Sequence, residues 1–437
     1  MSTRIVSPVA TVPPGDQLVP WGAPQLAVVG TGIVGLSAAL GCAQAGLSVA
    51  LIGPAPRNAD NDRAPLAIDS ADALADASVN APADARAEAS AEASYDARIY
   101  AIAPAARALL LAQRVWPQVP AARTRPVARM EIHGDDGGRL RFDARAVGVE
   151  SLATICEERS LQRALWLACS MAPGIRRHAA GFQAADFSAG RVHVHLDDGS
   201  RIDCALLLGA DGKGSAVRAA AGIGAHSQSY GQTALVANFR CARPHHGVAY
   251  QWFAGDEGVI ALLPLPGDRV SLVWSAPHAL LPSLQALDDV SFAARVARRT
   301  QFVVGELAAL GPRHAFDLHR VAVDHLVRPG LALLGDAAHV VHPLAGQGLN
   351  LGLQDVADFL RLLLAREPWR PLGDIVWLRR YERARAEPIA LMRGTVGALA
   401  QLFASPDRRL RRLRNMGLTA VDALVPLKHA LVRHAMG

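Results

Sequence analysis

Hydrophobic positions in this chain fall into short unbroken runs separated by glycine, a pattern of strands buried on both faces of a sheet. Leu26-Ala-Val-Val29 is the first such run. It is followed by Gly30-Thr-Gly-Ile-Val-Gly35, by a helical stretch from Ile33 to Ala45, and by a second apolar run from Leu47 to Ile52. Gln17 to Pro56 contains no charged residue, so hydropathy alone suggests a membrane span. Six glycines between Gly30 and Gly53 point instead to a buried strand, turn, helix and strand. A helix is predicted over Ala105 to Gln113. Buried strands are predicted at Leu206 to Gly209 and Leu331 to Leu334. Tyr250-Gln-Trp252-Phe, Val259 to Leu265 and Arg269 to Trp274 read as successive strands of another sheet, with turns at Gly255-Asp256 and Pro266-Gly-Asp268.

With 437 residues the chain exceeds the size of one ordinary core, so two domains, or one large domain with a subdomain, are expected. Half-hydrophobic composition (51%), few aromatics (5%) and 38 glycines favour a soluble α/β enzyme. Cys42, Cys156, Cys169, Cys204 and Cys241 are scattered and odd in number, with no C-x-x-C, which suits a reducing cytoplasm and suggests no zinc site. Residues 1–24 read as a flexible leader without the features of an export signal. Residues 57–95 hold 14 alanines, eight acidic and three basic groups, and read as a low-complexity surface insertion.

Two segments carry candidate chemistry. In G-x-G-x-x-G, Gly30 permits a tight turn, Gly32 a close backbone approach to a pyrophosphate and Gly35 the packing of helix on strand, while the helix amides hold the anion. The acidic residue expected after the second strand is missing, because Val49-Ala-Leu-Ile-Gly53 ends in glycine; Asp60 and Asp62 are the nearest substitutes. The second segment runs from Gly335-Asp336 through Pro343 and Gly346-Gln347-Gly348-Leu349-Asn350 to Asp355, a strand, acidic turn, loop and helix suited to a phosphate-bearing cofactor. His339 and His342 within it lack carboxylates or cysteines at metal-ligand spacing, and structural hydrogen bonding is expected of them.

These segments, with Leu206-Leu-Leu-Gly-Ala-Asp211-Gly-Lys-Gly-Ser-Ala-Val-Arg218, resemble the flavoprotein aromatic-ring monooxygenases of the p-hydroxybenzoate hydroxylase fold. Asp96-Ala-Arg98, Cys156-Glu-Glu-Arg-Ser-Leu161, Pro343 to Gly352 and the chain end resemble, more narrowly, the ubiquinone-biosynthesis hydroxylases. The resemblance spans roughly residues 25 to 437 outside the insertion. It implies an α/β fold with a Rossmann-like FAD-binding domain (25–120, 151–220 and 320–365), a smaller mixed-sheet substrate domain (121–150 and 221–319) and C-terminal helices (366–437). It further implies FAD held by Gly30, Gly32, Gly35, Arg98, Arg159, Asp211, Gly335, Asp336, Pro343, Gly346, Gln347, Gly348, Leu349 and Asn350. Arg98 and Pro343 would position the reaction around the flavin. NAD(P)H would serve as reductant and O2 as co-substrate, with hydroxyl passing from a flavin hydroperoxide to a prenylated phenol. Tyr250 and Trp252 are candidate substrate contacts, with core packing the competing role for each.

Formal charge is +6, and residues 407–437 supply +5 of it, from seven Arg or Lys against Asp407 and Asp422. Leu410, Leu413, Met416, Leu418 and Val421 lie between those charges. Such a basic amphipathic pattern suits peripheral docking on the inner membrane surface, the alternative being a helix packed on the protein with a solvated basic face. Nucleic acid is disfavoured, since no aromatics interleave with the charges. The rival functions are a flavin-dependent reductase of prenyl lipids and a non-catalytic scaffold of a quinone-biosynthesis complex. A halogenase is disfavoured because none of the seven tryptophans forms W-x-W.

Overall fold

A computed structural model describes residues 22–56, 95–188, 190–342, 346–405 and 407–424, together with Pro426 and Lys428. The 57–94 part of the expected insertion, most of the expected leader and Pro343 lie outside the described residues. At the centre is a six-stranded sheet in which Leu26–Val29 pairs in parallel with Val49–Ile52 on one side and Leu206–Gly209 on the other. Ile175–His178 extends the first side, while Leu331–Leu333 and the antiparallel edge Val327–Arg328 extend the second. Every residue of the three inner strands up to position 208 is almost fully buried, which explains their unbroken apolar runs. Because the chain goes one way from Leu26–Val29 and returns on the other side, the carboxyl end of that strand is a topological switch point, where open α/β sheets bind ligands.

A nine-stranded mixed sheet forms the second layer. Its spine is the long Ala225–Cys241 strand, paired antiparallel with Arg269–Pro277 and with His314–Val323. Val259–Leu265, Val248–Phe253, Arg129–His133 and Arg139–Asp143 continue it outward. The 314–323 strand straddles the boundary expected at 320, and His339–Val340, from the flavin-side segment, pairs with it. Two layers are thereby stitched together next to the second glycine loop. On the outer face of this sheet Trp252, Trp274, Leu235, Ile260 and Leu272 pack against Phe292 and Val296 of the Asp289–Arg299 helix.

Among the described residues three helices follow the second glycine loop, Gln347–Leu364, Ile375–Ala404 and Arg408–Ala423. The basic amphipathic segment docks on the hairpin that joins two outer strands. Asn415 accepts hydrogen bonds from the Gly138 and Asp136 amides (2.9 and 3.1 Å) and donates to Asp135 (2.8 Å). Arg414 pairs with Asp135, and Arg141 with Asp422 at 3.1 Å. This clamp uses one side of the helix. Leu413 and Met416 are left 63% and 68% exposed beside Arg408, Arg409, Arg411 and Arg412, none of which has an acidic partner among the described residues. No helix among the described residues is long and apolar enough to cross a membrane.

Candidate flavin site

A cleft of about 900 Å³ opens between the two layers at the switch point. Its floor is built from three backbone turns. Gly30 has a φ of +120°, and a Cβ there would lie 2.2 Å from the Ala210 carbonyl oxygen; a Cβ on Gly35 would lie 2.1 Å from the Gly30 oxygen. Both glycines are therefore required by the packing of the protein itself. Gly32 differs, since a Cβ there would meet nothing within 4 Å and Gly32 lines the open cleft. Its lack of a side chain leaves room for something outside the protein. The Ile33–Gln44 helix has no side-chain cap at Gly32, so its first amides are free to bind an anion.

The second turn is Ala210-Asp211-Gly212. Asp211 accepts from the Ser215 hydroxyl (2.6 Å) and the Val217 amide (3.1 Å), capping the short Ala216–Ala220 helix. Arg218 then spans to the third turn, donating to the Ala337 carbonyl at 2.8 Å and the Lys213 carbonyl at 3.0 Å. The third turn is Gly335–Ala337. Asp336 is exposed to the cleft, and partial desolvation by the surrounding turns raises its pKa against the opposing pull of His339, Arg98 and Lys213.

The third turn is anchored from beneath by Asp355, which is wholly buried. One carboxylate oxygen accepts from the Gly335 amide (2.9 Å) and from His339 Nε2 (2.7 Å), and the other from Arg385 Nε (2.7 Å). Burial alone would raise this carboxyl, but His339, Arg385 and the Gly335 amide hold it below the usual value. His342 donates to Gln232 at 2.8 Å, and burial pushes its imidazole down to about 4. Both histidines thus sit in hydrogen-bonding positions, and neither joins a metal-binding cluster among the described residues.

Of the expected flavin residues, Gly30, Gly32, Arg98, Asp211, Asp336, Gly346, Gly348 and Leu349 line this one cleft. Arg98 stands at its wall, 3.4 Å from Glu158 and over the Phe316 ring. Gly346 to Leu349 begin the Gln347–Leu364 helix, whose Gly346 N-cap supplies no side chain to satisfy the first amides. Gly35 and Gly335 act from behind the surface. Arg159 is exposed and outside the lining, its amide bonded to Asp96 at 3.0 Å. Gln347 is also outside the lining. Asn350 is spent on protein, accepting from the Ala103 amide (2.9 Å) and donating to the Ala101 carbonyl (2.8 Å), which pins the helix to the Ile99–Ile102 strand. Tyr250 and Trp252 stack on each other on the far face of the nine-stranded sheet and do not reach the cleft. Alternation along the strand points Gln251 into the cleft instead. Sequence reasoning passed over Gln251 because the two large aromatics beside it drew the assignment.

A family model described as an FAD binding domain matches residues 24–387. The chain is 36% identical to ubiquinone hydroxylase UbiL of Rhodospirillum rubrum over 344 residues, 78% of this chain and 79% of that protein. It is 32% identical to the 3-demethoxyubiquinol 3-hydroxylase of Escherichia coli over 421 residues, 94% of this chain and 98% of that protein. The chain belongs to the FAD-dependent aromatic hydroxylase family of ubiquinone biosynthesis. Its fold is shared with the crystal structure of p-nitrophenol 4-monooxygenase from Pseudomonas putida, at a TM-score of 0.71 and 14% identity over 95% of this chain and 98% of that one. The family cofactor is FAD, and the cleft fits it: free helix amides and the open approach at Gly32 suit a diphosphate, and the apolar inner sheet suits a flat ring system. At the ribose end Gly53 adjoins Thr31, and Asp60 and Asp62 lie outside the described residues.

Two glycines of one motif should therefore fail differently. Gly35→Ala should cost roughly 1–3 kcal/mol or more in urea unfolding, because backbone must move. Gly32→Ala should stay within about 0.5 kcal/mol of the parent yet bind FAD at least about tenfold more weakly by fluorescence titration. Equal stability losses in the two variants would contradict these assignments.

Proposed function

We propose that this protein hydroxylates the ring of a prenylated phenol in ubiquinone biosynthesis, using FAD, NAD(P)H and O2. The observation that carries the reading is the two-sided cleft, in which a floor of glycine turns and helix amides faces a sheet bearing Ala234, Val236, Ala261, Leu263 and Val273. The names of the relatives supply the substrate class.

Bound FAD would accept hydride from NAD(P)H and activate O2 toward an electron-rich ring. The chain's own residues bind, orient and exclude water. Gly30 and Gly32 with the Ile33–Gln44 amides would hold the diphosphate, and Asp336 the polar chain between diphosphate and ring system. Gly346, Gly348 and Leu349 would border the ring system, and Arg98 would flank it. The apolar sheet face would press the phenol ring over this floor, and such positioning is where a protein adds most to a reaction whose chemistry resides in the cofactor. No side chain is assigned as nucleophile or general base.

The exposed Leu413 and Met416, set among arginines with no acidic partner among the described residues, support peripheral docking on an anionic bilayer, from which a prenylated substrate is drawn. The same reading places the protein at the cytoplasmic face of the inner membrane, in contact with other enzymes of quinone synthesis.

Purified protein loaded with FAD should oxidise NAD(P)H faster when a short-chain prenylphenol is added, and should place one atom of labelled O2 in the product, as read by mass spectrometry. Faster oxidation with no label in the ring would overturn the hydroxylase assignment. Replacing Leu413 and Met416 together by Glu should weaken sedimentation with phosphatidylglycerol vesicles by about tenfold or more while leaving turnover of the soluble substrate unchanged. Undiminished sedimentation would remove this helix as the docking element.

A further inference from the structure

Apart from Asp317 and His319 on the His314–Val323 strand, two nearly buried polar side chains interrupt the apolar sheet face above the cleft. Gln251 and Ser275 are 5% and 4% exposed, both line the cleft, and neither side chain makes a hydrogen bond among the described residues. Strand pairing places Gln251 opposite Ala261, and Ser275 opposite Val259, so the two flank the Val259–Leu265 strand two residues out of step. Their backbones are on the order of 10 Å apart, given ~4.8 Å between neighbouring strands. Between them lie only Val259, Ala261 and Val273, an apolar patch of ring size.

The Gln251 carboxamide is open to the cleft rather than sealed in the core, and the large majority of polar groups so deep in folded proteins find a hydrogen-bond partner. The neighbouring strand positions offer Gln251 only aliphatic side chains, so the partner has to come from the cleft. We propose that Gln251 is a substrate-positioning residue whose carboxamide binds an oxygen substituent of the substrate ring, with Ser275 meeting a second substituent at the far edge. The carboxamide suits this task because it both donates and accepts, and so takes a phenolic hydroxyl or an ether oxygen without placing a charge in an apolar roof. A ring tethered there can present only certain carbons to the floor, so the pair would set regiochemistry as well as affinity. The proposal rests on the prenylphenol reading for its ligand class.

The test is binding to the FAD-loaded full-length protein, followed through the ligand-induced change in the flavin visible spectrum, which requires no turnover. The probes are a short-chain prenylphenol and the corresponding prenylbenzene, which differ by the ring oxygen. The parent should prefer the phenol by about 10- to 100-fold, since a site built to bond a hydroxyl rejects the analogue lacking it. Gln251→Met, of similar volume, should reduce that preference to within about threefold, with prenylbenzene affinity and FAD content unchanged. Gln251→Asn, which retracts the amide by one methylene, should fall between the two and decides the matter if the Met variant does not fold. A parent without the preference, or variants that keep it in full, would overturn the proposal. A parent that shows the preference but yields no hydroxylated product would instead remove the hydroxylase reading and leave the Gln251 site standing.

Discussion

One buried carboxylate organises the flavin side of this protein. Asp355 lies inside the Gln347–Leu364 helix, yet its three hydrogen bonds reach the Gly335 turn, His339 beyond it and Arg385 on the next helix. Desolvating a carboxylate costs several kcal/mol, and only a geometry that fills its acceptor positions repays the cost. Here the positions are filled from three elements, so the charge is stable only when all of them are in place. Arg385 extends the network to Asp358 at 3.0 Å. The turn that presents Asp336 to the cleft is in this way positioned by the helix whose amino end borders the same cleft.

The two layers contribute opposite chemistry to the space between them. Parallel strands bring turns and helix amino ends to one edge, which provides free amides and glycine surfaces for a phosphate-bearing cofactor. Along its Val248–Phe253, Val259–Leu265 and Arg269–Pro277 strands the mixed sheet lines the cleft with small, apolar side chains except at Gln251 and Ser275. Phe316, Asp317 and His319 line it from the His314–Val323 strand, while residues of the other parity fill a core against a helix. His339–Val340 pairs with His314–Val323, so the sheet is joined directly to the segment anchored by Asp355. Roof and floor are thus tied by backbone pairing, with the His342–Gln232 hydrogen bond and the Asn238 bond to the Asp96 carbonyl beside it.

Local features were legible in the sequence and parity was not. The glycine loop could be read because turn, helix start and flanking strands are adjacent, and the Ile33–Gln44 helix lies within one residue of the predicted span. The three outer strands were found, but whether Gln251 or its aromatic neighbours face the cleft depends on pairing with strands far away in the chain. Asn350 stands in the expected loop motif, yet its carboxamide is consumed by backbone 249 and 247 positions earlier, a contact no local pattern encodes. The basic amphipathic helix was visible from its periodicity, whereas its clamp through Asn415 and Asp135 joins residues 280 positions apart. Gly30, Gly32 and Gly35 looked equivalent as a motif, and only the three-dimensional packing separates the two required by the protein from the one that leaves space for a ligand.

If Asp355 organises the site, removing its charge must loosen cofactor binding even though the residue never touches the cleft. The decisive measurement is the FAD dissociation constant of Asp355→Asn, determined under conditions where circular dichroism shows the variant folded. Leaving the buried Arg385 with Asp358 as its remaining carboxylate partner should lower unfolding stability by about 3 kcal/mol, and the relaxed Gly335 turn should weaken FAD binding by at least about tenfold. An unchanged dissociation constant in the folded variant would contradict the account.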